Sequence, residues 1–598
     1  MTTHYDIWVD FMTMRNDRRL WTRLEDVRPG FVPIAGQYAI VGCEDAFPAV
    51  ARIISVDIRE TALSGKAYRF ERFDDPAEPA LGRPRRVPLT RTPPVLVGQY
   101  PHNPPGSGKH DFVRDDQIRS RLVQSNPWWR TAVGGDRLAW AADDRALRSR
   151  VAFDLGYRPD VLADIALGPI SDGLVVLRGP RRVGKSVTVK DTVALLCGRR
   201  DVDPRQIVYL AADGMTAQDL NRVAVLGRDL TRSVDPARRI WLLDEVTGVK
   251  GWTETIKFLR DNTPFGDDTV VCTGSSWDAE AEVERDLFAG RAGTATTRRS
   301  RLLLPMRFRD VLATTGREAP SPGPVPPWDL QGPAAATAAA AVELAIDDLD
   351  LAWQAYLTSG GFPRAVAEHH RAGQVSDAFL TDLAAWLHQD IDPEAPADSV
   401  PLLLAGLHDR SCSPLNRAAT ATALSYRTRQ TFDLRLTRLT RSFAALWCHQ
   451  VDDDGRRVVG AQSKLYLTDP LLAWLGPRLR AGLQAPNLTT LTEAALGVAL
   501  AQAVDHAQPG RWAADDALGF LRTGSGNEID FAPIPVPTAV AAASTTPLES
   551  KWVTHGWRSE ARVVEGKLGH GVLATRTIVD TTTAAWALPA PLVALLLG

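Results

Sequence analysis

The sequence predicts an α/β protein whose core is a parallel sheet carrying a phosphate-binding loop, and three observations support this fold class. Residues 179–186 read Gly-Pro-Arg-Arg-Val-Gly-Lys-Ser and fill the pattern G-x-x-x-x-G-K-[ST]. This octet stands between an apolar run at 174–177 and a helix-forming stretch that closes at Gly198. Further apolar runs alternate with helical segments, which is typical of a parallel sheet covered on both faces.

Length and composition set the class of protein. A chain of 598 residues is too long for one core, and 44% hydrophobic with 23% charged residues is typical of soluble globular proteins. The net charge of -2 argues against a uniformly basic nucleic-acid coat but allows a local basic patch. The five cysteines are scattered without a C-x-x-C pair, which excludes a zinc ribbon and favours a reducing, cytoplasmic environment.

Neither end of the chain predicts a membrane partner. The N-terminus has no apolar signal core. The apolar stretch 584–597 is shorter than a membrane span and is interrupted by Pro589 and Pro591. We expect it to pack on a core.

Six segments are predicted in order. Alternating runs at 31–41 and 51–58 indicate a small β-rich, barrel-like domain over 1–85. A Pro-, Arg- and Gly-rich stretch indicates a linker over 86–110. The remaining segments are the parallel-sheet core at 111–315, a Pro- and Ala-rich insertion or hinge at 316–345, a helical region at 346–485 and a mixed α/β region at 486–598.

Within the core segment, residues 111–160 read as mostly helical and lead to the strand before the octet. Four more buried strands are predicted, at 206–212, 240–243, 269–272 and 301–306.

An Asp-Glu pair ends the strand at 240–243. Ligands of parallel sheets gather at the carboxyl ends of strands, so Asp244 and Glu245 are expected to face the phosphates. Mg²⁺ needs oxygen ligands, which Ser186 and Asp244 would supply. Glu245 favours hydrolysis over phosphoryl transfer, because a hydrolase needs a base to activate water, and it disfavours a small-molecule kinase. The alternative is an acidic pair at a helix N-terminus.

Thr273 and Ser275 follow the neighbouring strand. They are candidates for sensing the γ-phosphate or for positioning the attacking water. The alternative is that both are ordinary turn residues.

Several motifs together resemble a known family. Leu-Leu-Asp-Glu-Val at 242–246, Thr-Gly-Ser-Ser at 273–276, Ala-Gly-Arg at 289–291, Leu-Pro-Met-Arg-Phe at 304–308 and Gly-Gly-Phe-Pro at 360–363 follow the octet in this order. This order is similar to that of prokaryotic AAA-type P-loop ATPases whose C-terminal half carries a winged helix and a PD-(D/E)XK nuclease-like domain. The resemblance covers about residues 120 to 598.

The resemblance implies ATP and Mg²⁺ as ligands and a ring-shaped homo-oligomer as a candidate assembly. It implies that nucleotide is bound by these residues: Gly179, Pro180, Arg181, Arg182, Val183, Gly184, Lys185, Ser186, Thr273 and Ser275. Lys185 and Glu245 are then catalytic, and Arg291 is a candidate γ-phosphate-sensing or finger arginine. Arg298, Arg299 and Arg301 compete for that role.

A basic helical pair stands in the region 346–485. Ser413-Pro414 starts one helix, and Thr428 caps a second whose apolar stripe is flanked by four arginines at 429, 435, 438 and 441. The pair resembles a winged helix-turn-helix that contacts DNA phosphates, and the alternative is a solvated helix face. The stretch 464–469, Lys-Leu-Tyr-Leu-Thr-Asp, matches the family's following strand and is interpreted as structural.

A second candidate site lies in residues 486–598. The period of two places Glu528 and Asp530 on one strand face, and Glu549 and Lys551 on another. This pattern resembles the PD-(D/E)XK nucleases, in which Asp530, Glu549 and Glu493 would hold Mg²⁺ and Lys551 would orient water. The alternatives are nucleic-acid binding without cleavage, or an exposed ion pair.

Two functions follow from these patterns. The first is a Mg²⁺-dependent ATPase coupled to a DNA-binding or DNA-cleaving tail. The second is an ATP-dependent switch or interaction protein whose nuclease-like domain is inactive.

Overall fold

The computed structural model describes five backbone strands in the first 111 residues and then residues 113–131, 135–275, 288, 293, 298–316, 320–524, 526–537 and 542–598. The chain divides into two compact units, Met1–Asp111 and Phe112–Gly598. The predicted linker at 86–110 and Arg291 lie outside the described residues.

The first unit contains one five-stranded sheet. Its strands are β1 (Ile7–Trp8), β2 (Arg19–Arg23), β3 (Tyr38–Cys43), β4 (Ala46–Asp57) and β5 (Ala67–Arg72). Their order is β1-β3-β4-β5-β2, with β1 and β3 parallel and the other pairs antiparallel. The barrel-like interpretation stays a prediction.

The second unit begins with a five-stranded parallel sheet. Its strands are β6 (Gly173–Arg178), β7 (Ile207–Ala211), β8 (Ile240–Asp244), β9 (Thr269–Gly274) and β10 (Ser300–Leu302). The order is β10-β6-β9-β8-β7 and every pair is parallel. The predicted parallel-sheet α/β core is confirmed, although the last strand is shorter than the apolar run at 301–306.

Both faces of this sheet are buried. Along β6, Val175 and Leu177 contribute to one core cluster, whereas Leu174 and Val176 contribute to the other. The helices of this part are α1 (Asp115–Ser125), α2 (Trp128–Thr131), α3 (Arg145–Val151), α4 (Ala163–Leu167), α5 (Lys185–Gly198), α6 (Ala217–Leu230), α7 (Trp252–Asn262) and α8 (Phe308–Thr314). Burial on both faces explains why the strands read as continuous apolar runs.

A mainly helical region follows. Its helices are α9 (Pro333–Val342), α10 (Ile346–Ser359), α11 (Pro363–Ala372), α12 (Asp377–Ile391), α13 (Ser399–His408), α14 (Arg417–Ala423), α15 (Arg429–Arg441) and α16 (Pro470–Leu479). The antiparallel strands β11 (Ala445–Val451) and β12 (Lys464–Leu467) follow α15.

The last region completes a second sheet system. Its elements are α17 (Leu488–Ala507), β13 (Gly519–Arg522), β14 (Glu528–Ile529), β15 (Pro535–Pro537), β16 (Ala542–Ser544), β17 (Leu548–Ser550), α18 (Trp557–Leu568), β18 (Gly571–Thr575), β19 (Ala585–Pro589) and α19 (Ala590–Leu597). Strand β11 pairs in parallel with β13, in the register His449 to Gly519. The predicted boundary at 485 therefore falls inside a shared sheet, β12-β11-β13-β14. A separate parallel sheet, β17-β18-β19, approaches it through a bridge between Phe531 and Leu548.

The predicted insertion at 316–345 is attached to the C-terminal elements. The Val325 N–H donates to Leu596 O at 2.7 Å, and the Thr546 N–H donates to Pro327 O at 2.8 Å. All eight residues of α19 are buried, as expected for the apolar end of the chain. Among the residues described, no helix has both the length and the apolar character that crossing a membrane requires.

Candidate nucleotide-binding site

The loop between β6 and α5 needs glycine at two positions for different reasons. A Cβ on Gly179, at φ 152°, would lie 1.9 Å from Leu303 O, so the backbones approach too closely for any side chain. Gly184 caps α5 at φ 98°, a left-handed conformation that residues other than glycine rarely adopt. The loop thus presents the N-terminus of a 14-residue helix, where backbone N–H groups attract an anion.

Lys185 is the buried cation of this loop. Its side chain is 3% exposed, and Nζ donates to Gly179 O at 2.8 Å and to Pro180 O at 2.9 Å. Burial lowers the pKa of Lys185 to about 8, and Glu245, whose Oε1 lies 3.9 Å away, opposes the shift. An ammonium held only by neutral carbonyls gains a favourable charge interaction when a phosphate binds. Lys185 and its loop therefore fit a nucleoside triphosphate.

Asp244 is fixed at the carboxyl end of β8. Its buried carboxylate accepts from Thr273 Oγ1 at 2.5 Å and from the Tyr209 hydroxyl at 3.1 Å. Burial and then Asp244 raise the pKa of Tyr209, so the phenol remains a donor. Ser186 is the second residue of α5. Ser186 and Asp244 are the oxygen donors that would hold Mg²⁺, and their chemistry fits that ion.

Glu245 adopts a backbone conformation that is unfavourable for this residue type. Its φ is 54°, and its N–H donates to Thr273 Oγ1 at 3.0 Å. Ser275 Oγ donates to Glu245 Oε2 at 3.2 Å. Such strain persists only where neighbours enforce it, and it concentrates at functional sites. Thr273 is fully buried and joins both acids, which supports a positioning role for it.

Arg181 extends from the loop toward the helical region. Its Nε–H donates to Ser275 Oγ at 3.3 Å, and its Nη2 lies 3.1 Å from Asp390 Oδ1. The guanidinium carbon is 5.4 Å from the ring centroid of Trp386. Arg182 and Val183 occupy the middle of the loop, Arg182 exposed at φ 64° and Val183 buried. The pattern of the octet gave no indication that helix α12 contributes to this site.

One of the arginines that compete with Arg291 has a structural role. Arg301 is 3% exposed and its two terminal nitrogens donate to Asp164 at 2.6 and 2.7 Å. Because its guanidinium is engaged by this bidentate pair, Arg301 is not a candidate for the γ-phosphate-sensing arginine. Arg291 itself lies outside the described residues, so its role stays a prediction.

A buried lysine behind the site was missed by the sequence analysis. Lys190 Nζ lies 3.5 Å from the ring centroid of Tyr209, 5.2 Å from that of Trp128 and 3.3 Å from Asp144 Oδ2. These contacts brace Tyr209, the donor to Asp244. No local pattern in the sequence indicates which cation Trp128 contacts.

The C-terminal acids meet at one buried cluster, together with a lysine that the sequence analysis assigned to structure. Lys464 Nζ lies 2.9 Å from Asp530 Oδ1 and 3.3 Å from Glu493 Oε1. Glu493 also accepts from the Tyr466 hydroxyl at 2.7 Å. Asp530 accepts from the Ser550 N–H at 3.0 Å, and its own N–H donates to Glu549 Oε2 at 2.9 Å.

This cluster does not fit a divalent metal ion. The Lys464 side chain is 1% exposed and places its ammonium between two of the predicted ligands. Burial alone would lower the pKa of Lys464, but Asp530 and Glu493 raise it, which keeps the charge. Within the described residues, no group of three or more His, Cys, Asp or Glu side chains is arranged to hold a metal ion.

Lys551 lies at the edge of the cluster. Its Nζ is 3.1 Å from Glu549 Oε1 and 3.9 Å from Glu560 Oε2, and its side chain is 36% exposed. Burial and then Asp530 raise the pKa of Glu549 to about 8, against the effect of Lys551. The structure therefore brings together the four residues predicted for the nuclease-like site, Glu493, Asp530, Glu549 and Lys551. The ammonium of Lys464 lies where the metal ion was expected.

The basic helix α15 is only partly free of contacts within the protein. Arg435 pairs with Asp392, and Arg438 donates to Ile391 O at 3.2 Å. Arg429 and Arg441 are exposed, and Arg429 pairs with Asp433 of the same helix at 3.3 Å. Two of the four arginines predicted to contact DNA thus attach the helix to α12.

Three motifs of the resemblance meet at Gly361. The Met306 N–H donates to Gly361 O at 2.7 Å, and the Gly361 N–H donates to Asp469 Oδ2 at 2.7 Å. Asp469 also accepts from the Leu471 N–H at 2.9 Å as the cap of α16. These contacts give the segments at 304–308, 360–363 and 464–469 a structural role.

One family model matches the segment that contains this site. The model of the AAA domain family matches residues 171–312. A Walker-type ATPase of Pyrococcus abyssi aligns at 15% identity over 51% of this chain and 91% of that chain, with a TM-score of 0.30. The ORC1 protein of Aeropyrum pernix in complex with DNA aligns at 14% identity over 52% and 86%, with a TM-score of 0.24. Among curated proteins no relative matches the chain.

The AAA match coincides with the parallel sheet. Residues 171–312 contain β6 to β10, the octet and the Asp244-Glu245 pair. Residues 171–312 therefore match the AAA domain family and carry the P-loop octet.

Proposed function

We propose that the chain is a Mg²⁺-dependent ATPase. One observation carries this proposal: the buried ammonium of Lys185 lies at the helix N-terminus, 3.9 Å from the carboxylate of Glu245. A cation and a carboxylate thus lie side by side at this loop, although they are 60 residues apart in the chain. This is the pair that a nucleotide hydrolase would use. A P-loop that only bound phosphate would not need the carboxylate of Glu245 beside Lys185 in addition to that of Asp244.

Each residue then has a defined role. The backbone N–H groups of the loop at 179–186, except at Pro180, bind the phosphates. Lys185 transfers its hydrogen bonds from loop carbonyls to phosphate oxygens. Ser186 and Asp244 would hold Mg²⁺, which would supply positive charge beside the phosphates. Glu245 accepts the proton of the attacking water, and Ser275 orients the Glu245 carboxylate.

Glu245→Gln tests this assignment. The variant keeps the size of the side chain but cannot accept a proton, so ATP turnover should fall by about 10²-fold or more while ATP binding is retained. Glu254→Gln, on the exposed face of α7, is the matched control and should turn over ATP as the wild type does. Normal hydrolysis by Glu245→Gln would exclude Glu245 as the base.

For the C-terminal region, the proposal is a binding module that does not cleave nucleic acid. The buried ammonium of Lys464 between Asp530 and Glu493 favours this function over a metal-dependent nuclease. Wild type and Asp530→Ala should both leave linear and branched DNA intact with Mg²⁺ or Mn²⁺. Divalent-dependent cleavage that is lost in Asp530→Ala would overturn this part of the proposal.

DNA phosphates are the proposed partner of the basic helix, through the exposed Arg429 and Arg441. Replacing both with alanine should weaken DNA binding at all sequences and reduce its salt dependence, because phosphate contacts release counterions. Arg114→Ala, an exposed arginine on another element, is the control. Equal affinities in the two variants would remove α15 as the DNA contact.

A ring-shaped homo-oligomer, with Arg291 acting across subunits, is proposed for the ATPase region. The molar mass with and without a non-hydrolysable ATP analogue tests it. A monomer under both conditions would exclude such a ring.

A further inference from the structure

The phosphate-binding loop contacts a helix that lies outside the AAA match. Arg181 Nη2 is 3.1 Å from Asp390 Oδ1, and its guanidinium stacks near Trp386 with 5.4 Å between the guanidinium carbon and the ring centroid. Both partners belong to the last turns of α12, Asp377–Ile391. The helical region therefore supplies a carboxylate to the edge of the nucleotide site.

A continuous polar path leads from this carboxylate to the proposed base. Arg181 also donates to Ser275 Oγ at 3.3 Å, and Ser275 donates to Glu245 Oε2 at 3.2 Å. Burial and, secondarily, Glu245 raise the pKa of Asp390, whereas Arg181 lowers it. The Asp390 side chain is 19% exposed, so its charge depends on Arg181 as the adjacent cation.

A carboxylate and a phosphate are both oxyanions that pair with the guanidinium fork in the same way. A nucleotide bound as proposed would bring its phosphates to the loop that carries Arg181, and one guanidinium cannot pair fully with both partners. Asp390 and the phosphates are therefore competitors for one cation.

We propose that Asp390 is a positioning residue that competes with nucleotide phosphates for Arg181, so that α12 responds to the occupancy of the loop. This inference rests on the proposed nucleotide binding. The residues that follow Asp390 hold the basic helix: Asp392 pairs with Arg435, and Ile391 O accepts from Arg438. Release of Asp390 thus occurs in the same turn that anchors α15.

A double-mutant cycle on ADP affinity, measured by calorimetry on the full chain, tests the competition. Asp390→Asn should bind ADP about two- to fivefold more tightly, the range that a half-exposed ion pair supports, and Arg181→Ala should bind it more weakly. In the Arg181→Ala background, Asp390→Asn should have no further effect. Asp382→Asn, an exposed acid on the same helix, should behave as the wild type.

The outcomes separate the two proposals. No ADP binding by the wild type refutes the proposed nucleotide binding itself. An Asp390→Asn affinity equal to that of Asp382→Asn, or an equal gain with and without Arg181, overturns the competition, because a general electrostatic effect would not need the arginine.

A second measurement remains available if Asp390→Asn fails to fold. Arg181 is exposed on its loop, so Arg181→Ala is expected to fold. ADP should speed hydrogen exchange of the amides at 386–392 in the wild type but not in Arg181→Ala. Unchanged exchange in the wild type on ADP binding overturns the inference.

Discussion

Lys464→Met provides a quantitative test of the buried ionic cluster. The substitution keeps the length of the side chain and removes the ammonium that lies 2.9 Å from Asp530 and 3.3 Å from Glu493. The lysine side chain is 1% exposed, so solvent screens little of the interaction. Removing one partner of a buried ion pair leaves an uncompensated charge and costs about 3–5 kcal/mol of unfolding free energy.

The unfolding free energy lost through Lys464→Met should depend on pH in a defined direction. Without the ammonium, the pKa of Glu493 rises further, because burial raises it and Lys464 opposes that rise. The neighbouring Glu549 already has a pKa of about 8 because of burial and Asp530. Acids with raised pKa bind more protons in the folded state than in the unfolded state. Their effect on stability therefore becomes less favourable as the pH rises from about 4 to 8. Lys464→Met should lose more stability at pH 8 than at pH 5.

Urea denaturation of the full chain, followed by tryptophan fluorescence, measures the effect. A double-mutant cycle with Asp530→Asn should give a coupling of about 1 kcal/mol or more, because removing both partners leaves less unpaired charge. Lys567→Met is the control, since this half-buried lysine pairs with a 72% exposed Asp453, and its loss should cost less than about 1 kcal/mol. If Lys464→Met is as stable as that control, or if the cycle is additive, the cluster is not held by its ionic contacts.

Three further predictions concern the nucleotide site. ATP affinity should fall by up to about tenfold per pH unit above pH 8, because the pKa of Lys185 is about 8 in the free protein and a bound phosphate raises it. The ammonium therefore contributes its full binding energy only below the pKa of the free protein. Constant affinity from pH 7 to 9.5 by calorimetry would contradict this. Gly179→Ala should abolish nucleotide binding because its Cβ has no space, whereas Gly198→Ala, with nothing within 4 Å of the added Cβ, should bind normally. Tyr209→Phe should raise the Mg²⁺ concentration needed for half-maximal ATP turnover by a few fold, because Asp244 loses one hydrogen-bond donor worth about 1 kcal/mol. An unchanged Mg²⁺ dependence would show that the Tyr209 hydroxyl does not help to position Asp244.

The parallel sheet and the centre of the nucleotide site were predictable because their signals are local. The octet at 179–186, the apolar runs and the Asp244-Glu245 pair are each contiguous in the chain. A parallel sheet places the ends of such runs at one edge, so Thr273 and Ser275 could be assigned to the site without knowing the strand order.

The remaining features depend on long-range placement. Asp390 is an ordinary acid on an amphipathic helix, and only the packing of α12 brings it to Arg181. Lys464 stands in a strand with no periodic signal to distinguish it, and its partners are 29 and 66 residues away. The pairing of β11 with β13 across residue 485 likewise leaves no trace in composition.

Calorimetric titration of the purified full chain with ATP in the presence of Mg²⁺ tests whether the loop at 179–186 binds nucleotide. We expect one site per chain, which Lys185→Ala eliminates and Glu245→Gln retains. No measurable binding to the wild type, or undiminished binding to Lys185→Ala, would contradict it.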